Sequence, residues 1–364
     1  MKQLLCLHLQ AYHLICLLHE YSQRPLHMKK RYKILAGVLA LLPVIYFAGP
    51  HPRFPVYKTI LPKVPDLKHL DNYVTTKEQQ HSVKPQNAAE IVWAGADHKQ
   101  TEYSIVYLHG FGASHEEGNP AHRDLAKKYH CNLYLSRLAE HGLQSEEPML
   151  DFTAEKLWES ALEAYAIGRA LGKKVIIMGT STGGTLALKL ASTFPEINSL
   201  VLYSPNIQIN SSAASILNNP WGLQLARRTA GSNYVVSKTK TEEYAKFWYP
   251  RYRLEAAVEL QELIETTMDP VTFKKVTQPV LLLYYYKDEQ HQDNVVKVDA
   301  MLEMFDSLGT PENLKYKAAI PEAGNHVIGS QLRSKDVAGV ERETNKFAQE
   351  ILHLKPKMEK GTSK

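Results

Sequence analysis

Residues 174–190 read "KVIIMGTSTGGTLALKL". A β-branched apolar run stops at Gly-Thr-Ser-Thr-Gly-Gly and gives way to strong helix formers. Short β-branched runs favour buried strands, and mixtures of Leu, Ala and Lys favour helices. The join is therefore a strand-to-helix turn of a few residues. Gly179 and Gly183 flank Ser181 at two positions' distance, as needed where a turn is too tight for neighbouring side chains. In this setting Gly-x-Ser-x-Gly holds a serine hydroxyl exposed above the end of a sheet. Gly184 lets the helix pack close.

The same alternation runs through the body of the chain. "EIVWAG", "YSIVYLHG", "CNLYLSRL", "KVIIMG", "INSLVLYSP", "PVLLLYYYKD" and "LKYKAAI" read as strands. Between them "NPAHRDLAKKYH", "TAEKLWESALEAYAIGRAL", "VVKVDAMLEMFDSLG" and "VAGVERETNKFAQEILHL" read as helices. Strands alternating with helices imply right-handed crossovers and a mostly parallel, doubly wound α/β sheet covered on both faces. The rhythm breaks over 206–276, where helix-like pieces such as "EEYAKFW" appear and no clear strand does. This segment is expected to be a helical cap inserted between two strands of one sheet.

A serine nucleophile needs a base and an orienting acid, in the chain order Ser, acid, His for this kind of turn. His326, in "PEAGNHVIGS", follows the last strand and is the candidate base. The acid is one of two. Asp288 comes straight after a strand in "YYYKDEQHQDNVVKV"; Asp293 opens "DNVV", which leads into a helix. Counting from the strand favours Asp288, and counting back from the helix favours Asp293. The first turn of the helix after Ser181 offers a free backbone N–H, that of Thr182, to a developing oxyanion. A second donor should come from the loop after an early strand, and "YLHGFGAS" places Phe111 there. His109 reads as structural, and Cys131, the one cysteine of the body, as a small core residue.

The N-terminal region has another character. "MKKRYKILAGVLALLPVIYFAGP", 28–50, has a basic cluster and then an uncharged apolar run over 34–49. That is the layout of an uncleaved signal-anchor or a signal peptide. It predicts membrane attachment through 34–49 with the body outside the cytoplasm, or export if the segment is cleaved. Residues 1–27 are an apolar extension broken by His8, Gln10 and His13, with Met28 as an alternative start; 51–87 are a Pro-rich linker and lead-in, 88–354 the α/β domain, and 355–364 a basic tail. The net charge of +5 over 364 residues is small, and no basic stripe with interleaved aromatics points to nucleic acid. No His/Cys/Asp cluster has metal-ligand spacing, so neither metal nor cofactor is expected.

Together "YLHGFGAS", "LAEHG" at 138–142, "GTSTGG", the Asp loop and "AGNHVI" resemble the α/β-hydrolase superfamily. They are most similar to its monoacylglycerol lipase, lysophospholipase and carboxylesterase branch. The resemblance covers about 88–352 and departs from the family at "YYYKDEQHQD", where a shorter loop is usual. It implies a serine hydrolase that cleaves carboxylic esters through an acyl-enzyme, with a cap shaping the acyl pocket and a small ester or lipid as substrate. A peptidase, thioesterase or acyltransferase could use the same residues, and a membrane-anchored binding protein could keep the scaffold without the activity.

Overall fold

Seven strands form the central sheet of the computed structural model, which describes residues 30–239 and 241–357. In chain order the strands are β1 (Glu90–Val92), β2 (Thr101–Leu108), β3 (Asn132–Leu135), β4 (Gly172–Thr180) and β5 (Ser199–Tyr203). A hairpin of β6 (Tyr234–Val236) and β7 (Arg251–Arg253) follows, then β8 (Val280–Tyr284), a short hairpin of β9 (Tyr286–Asp288) and β10 (His291–Gln292), and β11 (Lys315–Ala319). The sheet order is β1-β3-β2-β4-β5-β8-β11. Every pair in it is parallel except β1 with β3, an antiparallel edge.

The helices are α1 (Lys30–Phe47), α2 (Leu70–Glu78), α3 (Ala121–Tyr129), α4 (Ala154–Leu171), α5 (Thr182–Thr193), α6 (Gly222–Ala230), α7 (Glu242–Phe247), α8 (Leu254–Thr267), α9 (Pro270–Lys275), α10 (Val298–Ser307) and α11 (Val337–Glu350). The inner strands are apolar on both faces because both are covered. One layer packs α4, α5, α8, α9 and α10 on Val106, Leu108, Ile177, Leu200 and Leu282. The other packs α3 and α11 on Ile105, Tyr107, Ile176, Met178, Val201 and Leu283. The amphipathic reading of 153–171 is met in α4, which Thr153 caps by accepting from the Lys156 N–H and which runs straight into β4 at Gly172. Cys131 is buried, and burial raises its thiol to about 12.

Four local differences from the sequence reading have physical causes. The lead-in 51–87 contains α2, whose Leu70 and Val74 are buried in the main core, so that part is not a spacer. The run "PVLLLYYYKD" is not one strand: β8 ends at Tyr284 and β9 turns away as half of a hairpin. The segment 206–276 includes the antiparallel β6–β7 pair, where no strand was expected. Its last two helices, α8 and α9, bury Ala256, Leu263 and Phe273 in the main core, and Ile207 and Tyr249 reach the same core, so the segment is not a cap throughout.

The chain divides into two compact units, Met1–Pro50 and His51–Lys364. In the first, the described element is α1, with Pro43 inside it and Leu35, Val38, Leu39, Leu42 and Val44 all exposed. Lys30, Arg31 and Lys33 occupy its first turn, which leaves the uncharged part at about 21 Å, against about 30 Å of bilayer hydrocarbon. No helix among the described residues is long and apolar enough to cross a membrane, and the spanning helix expected over 34–49 is not found among them. The expected extension 1–27 lies outside the described residues, as does the basic tail beyond residue 357.

Candidate active site

The turn at 179–184 is built around Ser181, whose φ of 54° and ψ of −118° lie in a region that side-chain-bearing residues avoid. Neighbouring chain over-determines the strain. The Ser181 N–H donates to the Tyr203 carbonyl at 2.9 Å, and the Ser181 carbonyl accepts from Gly184 and Asn206 at 2.9 Å each. The two flanking glycines are required by crowding. A Cβ on Gly183 would stand 1.9 Å from the Leu108 carbonyl oxygen, and one on Gly179 would stand 2.4 Å from the Gly183 carbonyl oxygen. The first contact comes from the neighbouring strand β2, which the parallel register sets beside Gly179; the second comes from the tightness of the turn itself.

That register also brings the loop after β2 next to Ser181, and Phe111 and Ser181 line one cavity of about 390 Å3. As the first residue of α5, Thr182 has no intrahelical acceptor for its N–H. The Phe111 N–H likewise meets no acceptor among the described residues. The Phe111 ring stacks edge-on against His141, Phe152 and Tyr252, which fixes the turn. His109 is fully buried; its Nε2 accepts from the Leu138 N–H at 3.1 Å and its Nδ1 faces the Gly110 carbonyl, so it ties two loops together as a neutral ring. Burial holds its pKa well below the usual value.

His326 lies between β11 and α11 and lines the same cavity. Its Nδ1 is 2.6 Å from Asp293 Oδ2. The other carboxylate oxygen, Oδ1, accepts from Val295 and Val296 N–H at 2.8 and 3.1 Å. Burial works against the Asp293 charge, but the imidazole and these N–H groups outweigh it and hold the carboxyl below the usual range. Burial likewise works against a charged His326, yet Asp293 and then Glu117 outweigh it and raise its pKa above the ordinary value. His326 Nε2 is buried with no partner among the described residues, so no hydrogen bond yet joins it to Ser181.

Of the two candidate acids, the structure brings Asp293 to the histidine and leaves Asp288 away from it. Asp288 is exposed at the β9–β10 turn, where it accepts from the Gln290 and His291 N–H groups at 2.9 Å and pairs with the His291 ring at 2.8 Å. It ties its own turn.

Several cavity residues were not singled out from sequence. Glu117, in "ASHEEGNP", is buried and lines the cavity. Asn206, whose Oδ1 is buried and unpartnered, and Tyr252 also line it. Nothing periodic marks these positions; "EEG" beside "HGFG" is the only local signal. Among the described residues no cluster of three or more His, Cys, Asp or Glu is placed to hold a metal ion.

Ser181 is 6% exposed, not open to solvent as the turn alone suggested, because the loops around the cavity cover it. A strained serine above the carboxyl edge of a parallel sheet, sharing a cavity with a carboxylate-bound histidine, defines a hydrolase-type site on an α/β fold. Residues 105–339 match the model of the alpha/beta hydrolase family, and the chain belongs to that family. Solved structures of similar fold include one from LipS and LipT, metagenome-derived lipolytic enzymes, at 17% identity and a TM-score of 0.59, covering 73% of this chain and 99% of that one. A monoacylglycerol lipase from Paleococcus ferrophilus is 14% identical with a TM-score of 0.52, covering 73% and 98%. Est1E from Butyrivibrio proteoclasticus, solved with ferulic acid, is 17% identical with a TM-score of 0.50, covering 73% and 95%. No curated protein matches the sequence. At these identities the likeness is one of fold.

Proposed function

We propose that the protein is a serine hydrolase that cleaves carboxylic esters, of monoacylglycerol, lysophospholipid or simple carboxylester type, through an acyl-enzyme. One observation carries this reading: Ser181, held at positive φ, shares a cavity with His326, whose far nitrogen is fixed 2.6 Å from buried Asp293. In this reading Ser181 Oγ attacks the ester carbonyl as His326 Nε2 takes its proton. Asp293 holds the ring in the tautomer with Nδ1 protonated and stabilises the imidazolium. The Phe111 and Thr182 N–H groups receive the oxyanion. His326 then gives its proton to the departing alcohol, and a water deprotonated by the same nitrogen releases the acid. The wall of Ile209, Leu260, Val295 and Trp248 offers apolar surface to an acyl chain.

The exposed apolar residues of α1 support a further part of the proposal, that 34–49 attaches the protein to a membrane. Alkaline carbonate washing of membranes tests the attachment; full release of the protein into the wash rejects it.

The activity is tested by p-nitrophenyl esters from short to long chain with wild type and Ser181→Ala. Loss of one triad member costs about 10^4-fold or more in turnover. A variant that keeps more than about a tenth of wild-type turnover rules Ser181 out as nucleophile.

A further inference from the structure

Glu117 is a carboxylate in the wrong company. It sits on the short turn His115–Gly118, is 3% exposed, and lines the cavity that holds Ser181 and His326. No Lys or Arg among the described residues forms an ion pair with it. The Arg333 guanidinium, also at the cavity, lies over the Tyr244 ring at 5.4 Å. One Glu117 oxygen accepts from the Gly110 N–H. The distances around Gly110 fix how near the serine this charge lies. A Cβ built there would be 2.8 and 2.9 Å from the two Glu117 oxygens and 3.1 Å from Ser181 Cβ. Only a glycine lets carboxylate and serine approach each other across that point.

A buried, unpaired carboxylate is costly when charged, and this one is also beside the place where an oxyanion would develop. We propose that Glu117 is a positioning residue of this site, a second carboxylate that with Asp293 brackets the His326 imidazole and sets the pH at which His326 Nε2 is free to accept a proton. The proposal rests on the serine hydrolase reading of the site. Protonated, Glu117 leaves His326 under Asp293 alone, and the neutral ring can act as base. Ionised, it adds a second negative charge that favours the imidazolium, which cannot accept a proton. The Glu117 charge therefore raises the pH above which the neutral ring is available. The other titratable or charged groups around the Glu117 turn are Tyr107 from β2, Tyr244, Tyr252 and Arg333 around the cavity, Glu116 and His115 on the turn itself, and His122 against Gly118; burial keeps both histidines neutral. Burial raises Tyr107 and Tyr252 far above neutrality, so neither supplies a charge. Burial also lifts Glu117 itself to about 7, against the opposing pull of the Gly110 N–H, His326 and the Trp248 indole. Two such groups titrate as a pair rather than singly.

The test reads the rate at which a fluorophosphonate probe labels Ser181 in the full-length protein across pH 4.5 to 9. That rate follows the fraction of His326 able to act as base. Glu117→Gln keeps an acceptor for the Gly110 N–H and removes the charge. It should move the acid limb of the profile down by about one pH unit and keep the plateau. Glu117→Asp, which keeps the charge, should leave the limb within a few tenths of a unit of wild type. An unmoved limb in a folded Glu117→Gln protein overturns the proposal and reduces Glu117 to a support for the turn. No labelling of wild type at any pH instead removes the serine hydrolase reading. If Glu117→Gln does not fold, carboxyl-carbon NMR of wild type decides. Titration of Glu117 together with His326 supports the pairing, and titration near the ordinary 4.5 overturns it.

Discussion

Asp293 Oδ2 and His326 Nδ1 lie 2.6 Å apart inside the protein, although 33 positions separate them in sequence. The pairing is made by two loops at the same edge of the sheet, one after β8 and its hairpin, the other after β11, and β8 and β11 are parallel neighbours. Asp293→Asn should lower turnover by about 10^4-fold, because it no longer fixes the ring tautomer. Asp288→Asn should leave turnover within about twofold, since an exposed turn carboxylate contributes little to a distant site. Initial rates on one short ester compare the two variants; the reverse order would return Asp288 to the site.

Gly183→Ala tests the crowding at the elbow. The added methyl would stand 1.9 Å from the Leu108 carbonyl oxygen, which is backbone and cannot swing aside. A loss of about 3 kcal/mol is expected, read as a lowered melting temperature or poor soluble yield. Normal stability with normal activity would mean that the helix start shifts more easily than its packing implies.

Trp248 and Phe247 separate cavity from scaffold. Trp248 lines the cavity with Tyr244, while Phe247 packs edge-on against Trp248 and lines a different surface groove with His115 and Arg123. Trp248→Ala should change the preference between short and long acyl chains by about tenfold, the size expected from removing a large apolar wall. Phe247→Ala should change it less and act on melting temperature. Equal loss across all chain lengths for Trp248→Ala would make both residues packing elements.

Acid should unfold the protein early. Burial lowers His115 and His141 to about 4 and His122 to about 3. Each stays neutral in the fold at pH values where the unfolded chain takes up a proton. Below the ordinary histidine value of 6.5 the unfolded state binds more protons, so stability falls as pH falls from 6.5 toward the folded values. At pH 4 the loss is roughly 3 kcal/mol for each of the three. His326 has the opposite sign. Its raised pKa contributes stability that is present below 6.5 and fades as pH rises through the folded value. His109, also held well below its usual value by burial, adds to the same side, and four groups outweigh one, so denaturant midpoints should drop steeply between pH 6.5 and 4. A flat profile there would mean that these rings take up protons without unfolding.

Much of the site was legible in the chain itself. "KVIIMGTSTGGTLALKL" dictates a strand, a tight turn and a helix, because propensity and glycine crowding act over a few residues. The order of strands and helices dictates a mostly parallel sheet. His326 was placed by its position after the last strand, a local landmark. The acid was not, because the landmark itself moved. Tyr285 breaks the apparent strand, β9 folds back, and the loop is lengthened by a hairpin that no periodicity announces.

Local sequence therefore determined what depends on neighbours along the chain: the elements, the elbow, and the residue types able to do acyl transfer. Tertiary structure alone decided what depends on neighbours in space. It set Asp293 rather than Asp288 against His326, drew α8 and α9 out of the inserted segment onto the sheet, and buried Glu117 beside Ser181. The physical reason is the same in each case. Burial and electrostatic pairing act through distances of a few ångströms, and only the folded sheet brings residues 117, 181 and 326 to one cavity and sets 293 against 326.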